Sequence, residues 1–212
     1  FVEPADSLYQ QENLRRAAAL PYASMDDSQM FIFDYMYGTD MADVLMQTAN
    51  VGYSGCVAWM LDDAMHSAEA PDKLKMWGFW NILGDEFFGS EQEKIRPWFY
   101  AWSLLCRYMP QGCSIYETKV SGNPNIKALA VRKDDKTMLA VLNVSKRPQN
   151  VTLKGKDNLA SCKQYIYAEG RLKISEEKIL EPNNPDLHLN LVKGENIDMP
   201  GESLYIYTDF DF

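Results

Sequence analysis

The apolar residues of this chain change their spacing near residue 112, and that change limits the fold more than any single motif does. Before it the signals are helical. "TDMADVLMQTAN" carries Met41, Val44, Leu45 and Thr48 at i, i+3, i+4 and i+7, then stops at Asn50 and Gly52. "EQEKIRPWFYAWSLLCRYM" puts Ile95, Trp98, Phe99, Trp102, Leu105, Cys106 and Met109 on one face, with Pro97 in its first turn. Further upstream, "DSLYQQENLRRAAAL" opens on an Asp/Ser cap and runs through helix formers to Pro21. After Gly112 the period drops to two. "CSIYETKV", "IKALAVRK", "TMLAVLNVS", "QNVTLKG", "KQYIYAEG", "LHLNLVKG" and "ESLYIYTDF" are short runs rich in β-branched and aromatic residues, parted by turns such as Lys133-Asp134-Asp135-Lys136. Short strands at this spacing predict an antiparallel β-sandwich. Alternation along them places Leu129, Val131, Leu139, Val141, Tyr205 and Tyr207 on its inner face.

The stretch "GYSGCVAWMLDDAMH", residues 52 to 66, follows neither pattern. Its centre, Cys56-Val57-Ala58-Trp59-Met60-Leu61, reads as a strand buried on both faces, as in a parallel sheet. It then ends in two aspartates and a histidine. A buried strand followed by a helix is one βα unit of an α/β fold, where sites form beyond the carboxyl ends of strands. Asp62, Asp63 and His66 occupy that position.

Composition narrows the partners. With 212 residues, 46% of them hydrophobic and 12% aromatic, the chain is long and apolar enough to bury a core. A formal charge of −9 repels phosphate backbones and anionic lipid, and no basic stripe with interleaved aromatics is present. Nucleic acid is a poor partner for such a surface, and no apolar run approaches the roughly 20 residues that span a bilayer. The same acidity favours neutral or basic glycans over strongly anionic ones. The four cysteines, Cys56, Cys106, Cys113 and Cys162, lack metal-ligand spacing; Cys106 and Cys113 are close enough in sequence to pair. The start "FVEPADSLYQ" lacks an initiating Met, a basic n-region and a small-residue cleavage site, and reads as a chain entered midway.

"GYSGCVAWMLDDAMH", then "KMWGFWN" and "RPWFYAWSLLCRYMPQGCSIYE", together resemble the end of a clan A glycoside hydrolase. In that clan a (β/α)8 barrel has a Trp at the end of strand eight, a final helix and then a C-terminal β-sandwich. "MPGESLYIY" is similar to the strand that usually finishes that sandwich. The resemblance implies the last βα units of a TIM-type barrel over residues 1 to 112 and a sandwich over 113 to 212. It implies a retaining glycosidase with an acid/base carboxylate after strand four and a nucleophile at the end of strand seven. It implies no cofactor and no metal, and placement outside the cytoplasm. The acid/base has no counterpart in the sequence, so the chain alone is expected to be inactive and to need the N-terminal part of the same protein, whose absence would leave strand edges and apolar faces open.

Each candidate residue carries two readings. Glu3 in "FVEP" matches the nucleophile position or is a loop carboxylate. Trp59 matches the strand-eight Trp that stacks on a sugar, or is core. Asp62 and Asp63 cap the following segment, or one of them holds a sugar hydroxyl or orients a catalytic group. His66 is a hydrogen-bonded structural histidine unless it lines a pocket. Trp77 and Trp80 of "MWGFW" stack on sugar or fill space, and Tyr35 and Tyr37 lie at the same end of the fold and line the cleft. Trp98 and Trp102, at helical spacing, are core or domain-interface residues. The sequons Asn143-Val144-Ser145 and Asn150-Val151-Thr152 matter only in a eukaryotic secretory host. Besides the glycosidase, two other classes fit: a carbohydrate-binding or enzyme-like protein without catalysis, and a structural sandwich module. The barrel-type strand and helix beside the sandwich favour the enzyme.

Overall fold

The computed structural model describes residues 35–58, 61–62, 64–65, 74–75, 78–80, 82, 85 and 93–211. The helix expected over residues 6 to 20 lies outside them, as do Glu3, Trp59, Asp63, His66 and Trp77. The order is helix α1 (Tyr35–Asn50), two short paired strands β1 (Ala64–Met65) and β2 (Leu74–Lys75), and helix α2 (Pro97–Tyr108). Eight strands follow: β3 (Ser114–Tyr116), β4 (Ile126–Lys133), β5 (Lys136–Asn143), β6 (Gln149–Leu153), β7 (Leu159–Tyr167), β8 (Asn184–Leu189), β9 (Glu195–Met199) and β10 (Ser203–Thr208).

Both helices end where local chemistry requires. Gly52 has φ +89°, which favours glycine, and its N–H donates to Ala49 O while that of Tyr53 donates to Thr48 O. This is the Schellman arrangement, and it satisfies the last carbonyls of α1. Pro97 occupies the first turn of α2, where its missing N–H costs nothing, and Arg107 sits in the last turn near the negative end of the helix dipole.

Six strands form one antiparallel sheet in the order β3-β4-β5-β10-β7-β8; β6 and β9 pair separately as a second layer. Register decides what each face carries. Leu129 lies opposite Ala140, which lies opposite Ile206, which lies opposite Tyr165, so these share a face; Ala128, Val141, Tyr205 and Ile166 share the other. The first face is packed by α1 and α2, with Ala42, Leu45, Met46, Leu104, Leu105 and Tyr108 buried against Leu129, Val131, Leu142, Tyr165 and Leu204. The second is packed by β6 and β9, through Leu153 and Met199 against Val141, Tyr205 and Tyr207. Each fully buried aliphatic side chain contributes about 1.5–3 kcal/mol relative to exposure. With both faces covered, β10 is buried along its whole length.

Five expectations need correction. Leu129 and Val131 face the helices, whereas Leu139, Val141, Tyr205 and Tyr207 face the second layer; a sheet covered on both sides buries either parity. The run "LHLNLVKG" leaves the sheet after Leu189 and turns at Gly194, and β9, "ENIDM", is a strand hidden by its polar residues. On α2, Cys106 is exposed and Tyr100, Ala101, Leu104 and Tyr108 are buried, because the helix packs on the sheet as well as on α1. Finally, residues 55–58 form no strand: Val57 is 90% exposed and Leu61 63% exposed. A parallel strand takes its hydrogen bonds from neighbours on both edges. Among the described residues, the bonds to this segment come at its polar end, from residue 80. The four thiols are free, so Cys106 and Cys113 are not bridged.

The α1–sheet contact rests on Gly38. A Cβ there would lie within 2.5 Å of Tyr167 Cζ and closer still to its hydroxyl, which donates to Tyr35 O at 3.2 Å. Gly38→Ala gains about 1 kcal/mol of helix propensity but must push α1 off the sheet, which costs about 1–3 kcal/mol plus the Tyr167 bond, about 0.5–1.5 kcal/mol. The clash wins. Calorimetry is expected to show a lowered Tm, and Tyr167→Phe in the same chain to recover part of the loss; additive losses would contradict the contact.

A second fixed point precedes β10. Asn143 is fully buried and its Nδ2 donates to Arg147 O at 2.9 Å and Pro200 O at 2.8 Å, while Ser203 Oγ also donates to Pro200 O. The sequon at Asn143 is therefore structural. Asn143→Ala removes one of the donors to each of these two carbonyls, which keep Ser145 Oγ and Ser203 Oγ; each lost bond is worth about 0.5–1.5 kcal/mol, and chemical denaturation should show a lower midpoint with unchanged m. A midpoint within error of the parent would contradict this role.

Candidate functional site

The polar end of the "GYSGCVAWMLDD" stretch is held by a chain of backbone contacts that leads to the start of α2. Trp80 N–H donates to Leu61 O at 2.9 Å, and Asp62 pairs with Trp80 in a parallel bridge. Trp80 in turn bridges Ile95, and Arg96 N–H donates to Phe79 O at 2.8 Å. Asp62 and Trp80, distant in sequence, thus lie side by side, both half-buried. A carboxylate residue and a partly open indole residue on paired backbone positions are suited to a polyhydroxylated ligand: an indole ring takes C–H faces and a carboxylate accepts from hydroxyls.

Beneath this pair is an aromatic support. Trp98 is buried, its indole Nε1 donates to Gly78 O at 3.0 Å, and Tyr37 meets its ring edge-on with centroids 4.8 Å apart. Phe79 packs on Phe99 and Trp102 with centroids at 5.9 and 6.1 Å. These rings, with Met41, form a cluster of their own under residues 78–80.

The sequence-predicted residues divide accordingly. Asp62 and Trp80 are brought together. Tyr37 is 5% exposed and belongs to the support, so it does not line a cleft. Tyr35 turns toward the sheet, half-buried, with its ring 5.2 Å from that of Tyr167; burial, and secondarily the charge of Glu169, push its phenol above its ordinary value. Trp98 and Trp102 are packing residues, as their helical spacing predicts. Sequence reasoning missed Arg96. It is 4% exposed, its Nη1 donates to Gly78 O at 2.8 Å, and its guanidinium lies 5.3 Å from the centre of the Trp98 ring. Its place directly before Pro97 gives no sequence signal beyond an ordinary helix start.

A concavity of ≈ 740 Å³ lies at the C-terminal end of α1, lined among others by Gln47, Asn50, Glu117, Thr118, Asn123 and Lys127. Its polar groups largely serve the fold: Asn50 and Thr118 both donate to Ala128 O, and Asn123 donates to Gln149. Among the described residues no three His, Cys, Asp or Glu side chains gather to hold a metal. None of their helices is long and apolar enough to cross a membrane.

No protein-family model matches the chain, and no curated protein matches it in sequence. Solved structures do. A glycoside hydrolase family 30 subfamily 8 xylanase from Clostridium acetobutylicum matches 84% of this chain and 39% of its own, with TM-score 0.56 and 13% identity. A conserved exported protein from Bacteroides fragilis matches 87% of this chain and 37% of its own, with TM-score 0.55 and 10% identity. A β-porphyranase of glycoside hydrolase family 86 from the gut bacterium Bacteroides plebeius matches 90% and 32%, with TM-score 0.54 and 15% identity. The chain spans 32–39% of the length of these proteins. The similarity is one of fold: the described residues share the barrel-end-plus-β-sandwich architecture of part of these glycoside hydrolases.

Proposed function

We propose that the chain is the C-terminal part of a retaining glycoside hydrolase acting on oligo- or polysaccharide. Residues 1 to 112 supply the last units of a (β/α)8 barrel and residues 113 to 212 the sandwich that braces them. The observation that carries the reading is the Asp62–Trp80 pair, a carboxylate and an indole joined at the polar end of the strand-eight-like segment. It occurs in a fold whose neighbours are described as a xylanase and a β-porphyranase. The exposure of Val57 and Leu61 supports it further, since preceding barrel units of a longer protein would cover them.

In this reading Trp59 forms the floor of a sugar subsite, and Asp62, with Asp63, holds hydroxyls. Trp77 and Trp80 stack at the rim, and His66 lines the pocket. Hydrolysis needs two carboxylates about 5–5.5 Å apart, one protonating the leaving oxygen and the other attacking the anomeric carbon. Glu3 is the candidate for the second. The first belongs to the upstream part of the protein, so turnover is a property of the longer chain.

The test is a paired measurement on that longer protein with xylan and other neutral β-glycans. Trp59→Ala is expected to lower kcat/KM by roughly tenfold or more with little change in Tm. A packing Trp behaves oppositely, losing about 3–5 kcal/mol of stability while turnover per folded molecule stays normal. That second outcome, or a parent protein that releases no reducing ends from any glycan, would contradict the proposal.

A further inference from the structure

We propose that Arg96 is a positioning residue for the Asp62–Trp80 pair, an inference that rests on the saccharide reading of that site. Among the described residues, 61–62 and 78–80 meet through one Trp80 N–H to Leu61 O bond and one bridge. The start of α2 holds residues 78–80 as well. Arg96 uses its side chain on Gly78 O and its backbone N–H on Phe79 O, both at 2.8 Å, so two successive carbonyls of the rim segment are held by one residue. Trp98 adds a second donor to Gly78 O at 3.0 Å. The backbone of Arg96 itself is set by Pro97, whose ring fixes the first turn of α2. The position of Trp80, and through it of Asp62, is therefore referred back to a helix packed on the sheet.

The guanidinium is suited to this in a way that an aliphatic side chain or a simple amine is not. Lying over Trp98, it interacts with the ring face while its N–H groups, in a fixed plane, reach the carbonyl. The same indole supports Tyr37 on its other contact. Removing the charge loosens the 78–80 carbonyls and lets the rim shift relative to the strand-eight-like segment. It leaves the sheet and both helices in place.

The test uses the longer protein with Arg96→Met, Arg96→Lys and, as a stability control on the helix-facing side of the sheet, Val131→Ala. Tm, kcat and KM are measured per folded molecule on a glycan that the parent cleaves. Arg96→Met is expected to lose about 10- to 100-fold in kcat/KM, as a misplaced site does, mainly through a raised KM. Arg96→Lys should recover part of the KM, and Val131→Ala should keep the parental constants despite a lower Tm. Arg96→Met with parental kcat/KM per folded molecule, or a loss matched by Val131→Ala at equal Tm, overturns the positioning role while leaving the saccharide reading standing. A parent with no turnover and no saccharide binding overturns both.

Discussion

Gly38 lets α1 approach the sheet until its backbone lies against the ring of Tyr167, and the helix layer takes its place from that contact. With α1 seated there, Ala42, Leu45 and Met46 fall onto the sheet, and α2 closes beside them through Leu104, Leu105 and Tyr108. Tyr108 donates to Tyr165 across this layer at 2.7 Å, and burial pushes the Tyr108 phenol well above its ordinary value. The start of α2 then sets Arg96 and Trp98, and these set residues 78–80. A single missing methyl group is thus connected, through packing, to the place where Asp62 meets Trp80.

The sheet can serve as this foundation because its central strand is closed on both faces and pinned at its start. The Pro200-Gly201 turn before β10 presses on the β5–β6 turn so tightly that a Cβ at Gly201 would overlap the Lys146 backbone. Asn143 and Ser203 meet on Pro200 O there. In the "MPGESLYIY" segment the proline carbonyl is the acceptor, and the serine hydroxyl one of its donors.

Much of this was legible in the residues. The helix stop at Gly52, the role of Pro97, the hairpin at Asp134-Asp135 and most strands follow from local chemistry that tertiary contacts leave intact. What misled were faces. Leu129 and Val131 alternate as regularly as Leu139 and Val141, and in a sheet covered on both sides alternation gives two buried sets without saying which partner each meets. β9 was hidden because only Ile197 and Met199 of "ENIDM" are apolar. At the site, Asp62 and Trp80 were legible as polar end and aromatic loop residue, but not their pairing, which is made by backbone atoms. Tyr37 was misplaced because an aromatic at a helix start looks the same whether it lines a cleft or supports one. Arg96 left no trace, since its function lies in the carbonyls it reaches.

The central claim is that saccharide binds at the end of α1 where residues 61–62 and 78–80 meet, and not at the concavity by Asn50 and Thr118. Hydrogen–deuterium exchange on the longer protein, with and without a neutral β-linked oligosaccharide in excess, separates the two directly. Slower exchange of the amides of Asp62, Phe79 and Trp80, with those of residues 117–128 unchanged, is the predicted result. Protection confined to residues 47–51 and 117–128, or no protection in either segment, would contradict the account.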